Sequence, residues 1–175
     1  MTARRLALGV VVVLTALLTQ TVLLSRLPLP GAVPDLLLVV VVAFGLTEGS
    51  RSGAVTGMCA GLLADLGSDH ELGRLALAYV LCGHLAGLVR PAPDRPAFLA
   101  PIVVALCAVL AVTVYAAEGV LLDDPRTTVA AYLRAIAATV TYCVALTPVV
   151  VPAVGLLVRR RDGDQPRRRP AGRRP

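Results

Sequence analysis

The sequence predicts an all-α polytopic membrane protein, about six transmembrane helices in one compact bundle. Three observations predict it. Hydrophobic residues fill 57% of 175 positions and the mean hydropathy is +0.78, too apolar for a soluble domain that must cover its core with polar surface. Apolar runs near membrane-spanning length recur along most of the chain and leave no room for a second domain. All 17 basic residues are arginine, and eight of them lie between Arg159 and Arg174, after the last apolar run. Residues 1–158 therefore read as the helical bundle and 159–175 as a disordered, arginine-rich cytoplasmic tail.

The first run, Leu6 to Leu24, follows Arg4 and Arg5. It is longer than the apolar region of a signal peptide, and "SRLPLPG" offers no small-x-small cleavage site, so it reads as a transmembrane helix. Prolines 28, 30 and 34 then block helix continuation. Asp35 follows as a candidate N-cap for "LLLVVVVAFGL". The polar break "TEGSRS" separates that run from "GAVTGMCAGLLADL". At 1.5 Å per residue these two runs cover only ~17–21 Å of a ~30 Å hydrocarbon core. Either each extends into its flanks, or the pair forms a short hairpin inside the bundle.

Residues 73–89 supply a fourth helix, and Ala97 to Ala117 a fifth, with Pro101 near its start. In "EGVLLDDPRTT", Asp124 and Pro125 read as N-cap and first residue of a sixth helix. That helix runs to about Val158 and carries Pro148 and Pro152, which should kink it. Six spans put both termini on one side. Arg4, Arg5, Arg51, Arg90, Arg95 and the tail arginines then share that side, against Arg26, Arg74, Arg126 and Arg134 opposite. The positive-inside rule makes the first side cytoplasmic, in a plasma membrane.

The candidate functional residues are few. Gly53, Gly57 and Gly61 fall four apart, Asp65 continues the spacing, and Gly83 and Gly87 repeat it on the fourth helix. Small residues at this interval let helix backbones approach closely in lipid. Internal packing is the favoured use, and an exposed stripe would instead be a docking face. Gly67 is expected to end the third helix. "SDHE" fits an S-x-x-E capping box in which Ser68 and Glu71 open the fourth. A metal reading of Asp65, Asp69 and His70 lacks further ligands, since His84 lies ~21 Å along the next helix. His84 and Glu118 are polar groups within or beside the spans, too few to argue a proton path.

Cys59, Cys82, Cys107 and Cys143 are scattered singly in apolar runs, with no metal-ligand or disulfide pattern. No nucleophile motif, phosphate loop or carboxylate pair supports enzyme chemistry, and no cofactor is expected. The tail arginines, among them Arg159, Arg160, Arg161, Arg167, Arg168 and Arg169, suit anionic lipid headgroups or an acidic partner. They lack the aromatic interleaving of a nucleic-acid binder, so no nucleic acid is expected.

"PDLLLVVVVAFGL" (34–46), "GAVTGMCAGLLADLGS" (53–68) and "LGRLALAYVLCGHLAGLVR" (72–90), in this order and spacing, resemble the MreD family of rod shape-determining membrane proteins. Pro34-Asp35 before a leucine run and Gly57-x-x-x-Gly61-Leu62-Leu63-x-Asp65 carry most of the resemblance. It implies a non-enzymatic scaffold subunit of the cell-wall elongation machinery, in its rod-shape or spore-wall form. The partners implied are an MreC-like bitopic protein and, through it, MreB filaments, a RodA-type polymerase and a class B penicillin-binding protein. The family is also distantly similar to the six-helix substrate-binding subunits of ECF vitamin transporters, so a small-molecule capture subunit is the alternative. Aromatic residues at 3% and no tryptophan make a ligand pocket chemically sparse.

Overall fold

A computed structural model describes residues 3–23, 26, 34–67, 73–89, 98–122 and 128–163. Among the described residues six helices follow one another: α1 (Ala3–Val22), α2 (Leu36–Glu48), α3 (Ser50–Leu66), α4 (Arg74–Leu88), α5 (Leu99–Leu121) and α6 (Val129–Gly163). No strand occurs among the described residues. Two helices among the described residues are long and apolar enough to cross a membrane, Leu99–Leu121 and Val129–Arg160. Gly9–Val22, Leu36–Glu48 and Arg74–Leu88 are apolar but shorter.

Helix α2 is the axis of the bundle. Its sequence has no polar face, and every residue from Leu37 to Leu46 is buried. A helix that is apolar all round must be enclosed on all sides, and α1, α3, α4, α5 and α6 all pack on it. Its 13 residues make a helix only ~20 Å long, short of a ~30 Å hydrocarbon core. Enclosure by longer neighbours removes the need for it to reach both surfaces.

The break expected at "TEGSRS" reduces to one residue. Helix α2 runs on to Glu48, α3 starts at Ser50, and Gly49 turns the chain between them with φ +98°. That left-handed backbone is open to glycine at little cost. Across the turn the Ser52 hydroxyl donates to the Glu48 carboxylate.

Two helix starts differ from the sequence reading. Helix α4 begins at Arg74 with Gly73, φ +110°, in the N-cap position. Ser68 and Glu71 fall outside the described residues. Helix α6 begins at Val129, later than Pro125, and the Thr128 hydroxyl oxygen accepts from the Ala131 N–H at 3.3 Å. Thr128 is a competent cap, and it lies after Asp124 and Pro125, which fall outside the described residues. Helix α6 also continues past Val158 through Arg159, Arg160 and Arg161 to Gly163, so the expected tail boundary at 158 cuts a helix. Both Pro148 and Pro152 lie inside it.

Neighbour contacts fix the helix directions. Gln20 meets Leu37, Thr47 meets Gly155, and the Cys143 thiol faces the Asp35 carbonyl. Helices α2, α4 and α6 therefore run one way and α1, α3 and α5 the other. The start of α1, the α2–α3 turn and the end of α6 share one end of the bundle. Arg4 and Arg5 in the first turn of α1, exposed Arg51, and exposed Arg159 and Arg160 all belong to that end. Asp35, Asp65, Arg74 and Glu118 gather toward the opposite end.

Candidate functional site

The glycine stripes meet each other. A Cβ on Gly53 would land on the Gly83 carbonyl, one on Gly57 on the Tyr79 carbonyl, and one on Gly61 on the Ala76 backbone. In return, a Cβ on Gly83 would strike the Gly53 carbonyl and one on Gly87 the Ser50 backbone. The pairing descends the helices in antiparallel register, so α3 and α4 touch backbone to backbone along their length. Gly45 of α2 joins from the side, where an added Cβ would lie 2.6 Å from the Gly83 carbonyl oxygen. Close approach of this kind is how helices associate when lipid supplies no hydrophobic drive between them. The stripe is thus buried between helices and is not on the surface.

Asp65 is 1% exposed and faces the start of α4. Its carboxylate accepts from the backbone N–H groups of Gly73, Leu75 and Ala76 at 2.9, 3.2 and 3.3 Å. The first N–H groups of any helix lack intrahelical partners, and negative charge there is favoured by the helix dipole. Asp65 therefore caps α4 from the last turn of α3, a role the sequence reading gave to Ser68 and Glu71. No group of three or more His, Cys, Asp or Glu side chains able to hold a metal occurs among the described residues.

A second polar join closes the start of α2. Asp35 accepts from the Leu38 N–H at 3.0 Å, the N-cap bond expected of Pro34-Asp35, and the Gln20 side-chain oxygen of α1 accepts from Leu37 at 3.1 Å. The Tyr79 hydroxyl lies 2.8 Å from both carboxylate oxygens of Asp35. Tyr79 is 2% exposed and is among the largest fully buried side chains. This one contact ties α2 to the middle of α4.

Arg74 makes a third join. Buried at 8% exposure, it donates to the Tyr115 carbonyl at 3.1 Å and lies 3.7 Å from the Glu118 carboxylate. Its guanidinium also sits over the Tyr115 ring, 4.1 Å from the centroid. Glu118 thus pairs with α4, where the sequence suggested a boundary group. Cys82 and Cys107 face one another's carbonyls across α4 and α5.

Sequence reasoning singled out Asp35, Asp65 and the glycines but missed Tyr79, Arg74 and Gln20. The available signal for Tyr79 was its rarity, one of four tyrosines in a chain almost free of aromatic residues. His84 lies on the outer face of α4, among exposed Leu77, Leu81, Leu85 and Leu88. Arg159 and Arg160 are exposed on α6, whereas Arg167, Arg168 and Arg169 fall outside the described residues.

Comparison with known families decides the assignment. A family model described as rod shape-determining protein MreD matches residues 2–161. The chain belongs to the MreD family. The match runs from the start of α1 to within two residues of the end of α6, well beyond the stretch from Pro34 to Arg90 that carried the resemblance. As a member of this family it is a membrane protein involved in rod-shape determination. No curated protein and no solved structure matches the chain, and the likeness to ECF capture subunits gains no support.

Proposed function

We propose that this MreD-family chain is a non-enzymatic, multi-pass scaffold of the wall-elongation machinery, holding an MreC-like bitopic protein. Through that partner it would join MreB filaments, a RodA-type polymerase and a class B penicillin-binding protein. The observation that carries the reading is how the buried polar groups are used. Asp35, Asp65 and Arg74 each join one helix to another, and Glu118 pairs with Arg74. Groups spent this way position helices and are not free to turn over a substrate. The outward faces of α3 and α4 are mostly apolar, with Val55, Met58, Leu62, Leu77 and Leu81 exposed beside His84. In this reading the glycines, Pro34-Asp35 and Asp65 shape the bundle, and partners meet its outer faces.

Six spans with both termini in the cytoplasm fit the arginine distribution, because Arg4, Arg5, Arg51, Arg159 and Arg160 share one end. Reporters fused at each terminus test this orientation. A C-terminal reporter on the extracytoplasmic side contradicts six spans. Purification from native membranes tests the function: an MreC-like protein is expected to accompany the chain. Tight vitamin binding without that partner would overturn the scaffold in favour of a capture subunit.

A further inference from the structure

Helices α1 and α6 both lean on α2 without meeting, and between them lies a groove of about 480 Å³. Leu36 and Val40 form its floor, Val12 and Ala16 part of one wall, Ala153 and Leu157 part of the other. The only hydroxyls in the lining, Thr15 and Thr19, donate to carbonyls of their own helix at 2.7 Å. The groove therefore offers apolar contact, with both threonine hydroxyl hydrogens already used within the helix. Its walls run from Val11 to Thr19 and from Val149 to Leu157, each ~12 Å long, close to one leaflet of a ~30 Å hydrocarbon core.

Beyond one end of this groove both helices carry arginines in their terminal turns. On α6, Arg160 follows Leu157 by three residues and continues the same face, with Arg159 beside it, both exposed. On α1, Arg4 and Arg5 stand in the first turn, seven residues before Val11 and Val12. Among the described residues, no acidic side chain lines the groove.

We propose that the α1/α6 groove is a binding site for one anionic phospholipid, its acyl chain along α2 and its phosphate between the arginine-bearing ends of α1 and α6. The argument is complementarity at both ends of one ligand: an apolar channel of leaflet depth opening beside cations. Attraction of a loose arginine tail to the membrane surface needs no groove, whereas this site needs both parts. The proposal rests on the membrane location of the family and not on the partner reading, which co-purification tests separately.

The chain contains no tryptophan, so a single tryptophan reports lipid contact without background. Thr15→Trp on the groove wall and Leu106→Trp on the exposed face of α5 would be reconstituted in zwitterionic phosphatidylcholine vesicles. Phosphatidylglycerol with brominated acyl chains is then added as a minor component. Quenching at position 15 is expected at a lower mole fraction of the anionic lipid than quenching at position 106. Brominated phosphatidylcholine should not distinguish the two positions. Replacing Arg159 and Arg160 by Gln should weaken the preference by roughly fivefold per arginine. Ala153→Phe, which narrows the groove and keeps every arginine, should also weaken it. Equal quenching at both positions, or loss with the arginine changes but not with Ala153→Phe, overturns the site and leaves only surface attraction. No quenching at position 15 overturns it in favour of a covering protein helix.

Discussion

The Asp65 carboxylate on the last turn of α3 accepts the N–H of Gly73, the residue that opens α4, at 2.9 Å. With Leu75 and Ala76 also donating to it, a single buried side chain ends one helix and begins the next. Removing it strands three backbone donors at once, all of them buried or part-buried. Asp65→Ala is expected to destabilise the bundle by about 2–4 kcal/mol, and Asp65→Asn, which keeps one acceptor oxygen, by about 1 kcal/mol. Apparent melting temperatures in a mild detergent compare the two. An Asp65→Ala protein as stable as the parent removes the cap from the account of this join.

The glycine pairing makes a steeper prediction. Gly57→Leu and Gly61→Leu place side chains where the α4 backbone already lies, so the helices must separate, at a cost above the about 1–3 kcal/mol of ordinary overpacking. Loss of folded protein in fluorescence-detected size exclusion is the expected result. Gly9→Ala serves as the control, since its Cβ meets nothing within 4 Å, and exchanging a mid-helix glycine for alanine gains roughly 0.5–1 kcal/mol. Normal yields for both leucine variants would mean that α3 and α4 are not in backbone contact.

Tyr79 and Asp35 should behave as a coupled pair. Tyr79→Phe deprives the carboxylate of its hydroxyl donor while keeping the ring, and is expected to cost about 1–3 kcal/mol. A double-mutant cycle with Asp35→Asn isolates the shared part, expected to be at least about 0.5 kcal/mol for residues in contact. Strict additivity would indicate that the hydroxyl and the carboxylate do not meet.

Arg74 is not interchangeable with lysine. The guanidinium lies over the Tyr115 ring, donates to the Tyr115 carbonyl and faces Glu118. An ammonium cannot reproduce that planar combination. Arg74→Ala is expected to cost about 3 kcal/mol by stranding Glu118, and Arg74→Lys should recover only part of it. Coupling Arg74→Ala with Glu118→Gln should soften the loss, because the stranded charge is gone. Full rescue by lysine would show that only charge matters at this join.

Much of the fold was legible because local pattern and global position agree. The proline-blocked entry to α2 and the Asp35 cap follow from adjacent residues, and the four-residue glycine spacing marks a close helix face without naming its partner. What escaped the sequence was set by distance along the chain. Asp65 sits eight residues before Gly73, so its capping role depends on how the intervening turn folds, and a nearer S-x-x-E pattern competed for it. Arg74 looks like an unpaired cation at the start of a helix until Tyr115 and Glu118, one helix later, are brought against it. Helix α2 shows only a short apolar run in its own residues, and the five helices that enclose it are brought there by distant parts of the chain.

The most direct test of the scaffold is isolation of the tagged full chain from its native membranes in mild detergent, with proteins and small molecules identified together. An MreC-like bitopic protein recovered in near-stoichiometric amount, with no bound vitamin, is the predicted result. A bound vitamin without any wall-synthesis partner would contradict the scaffold.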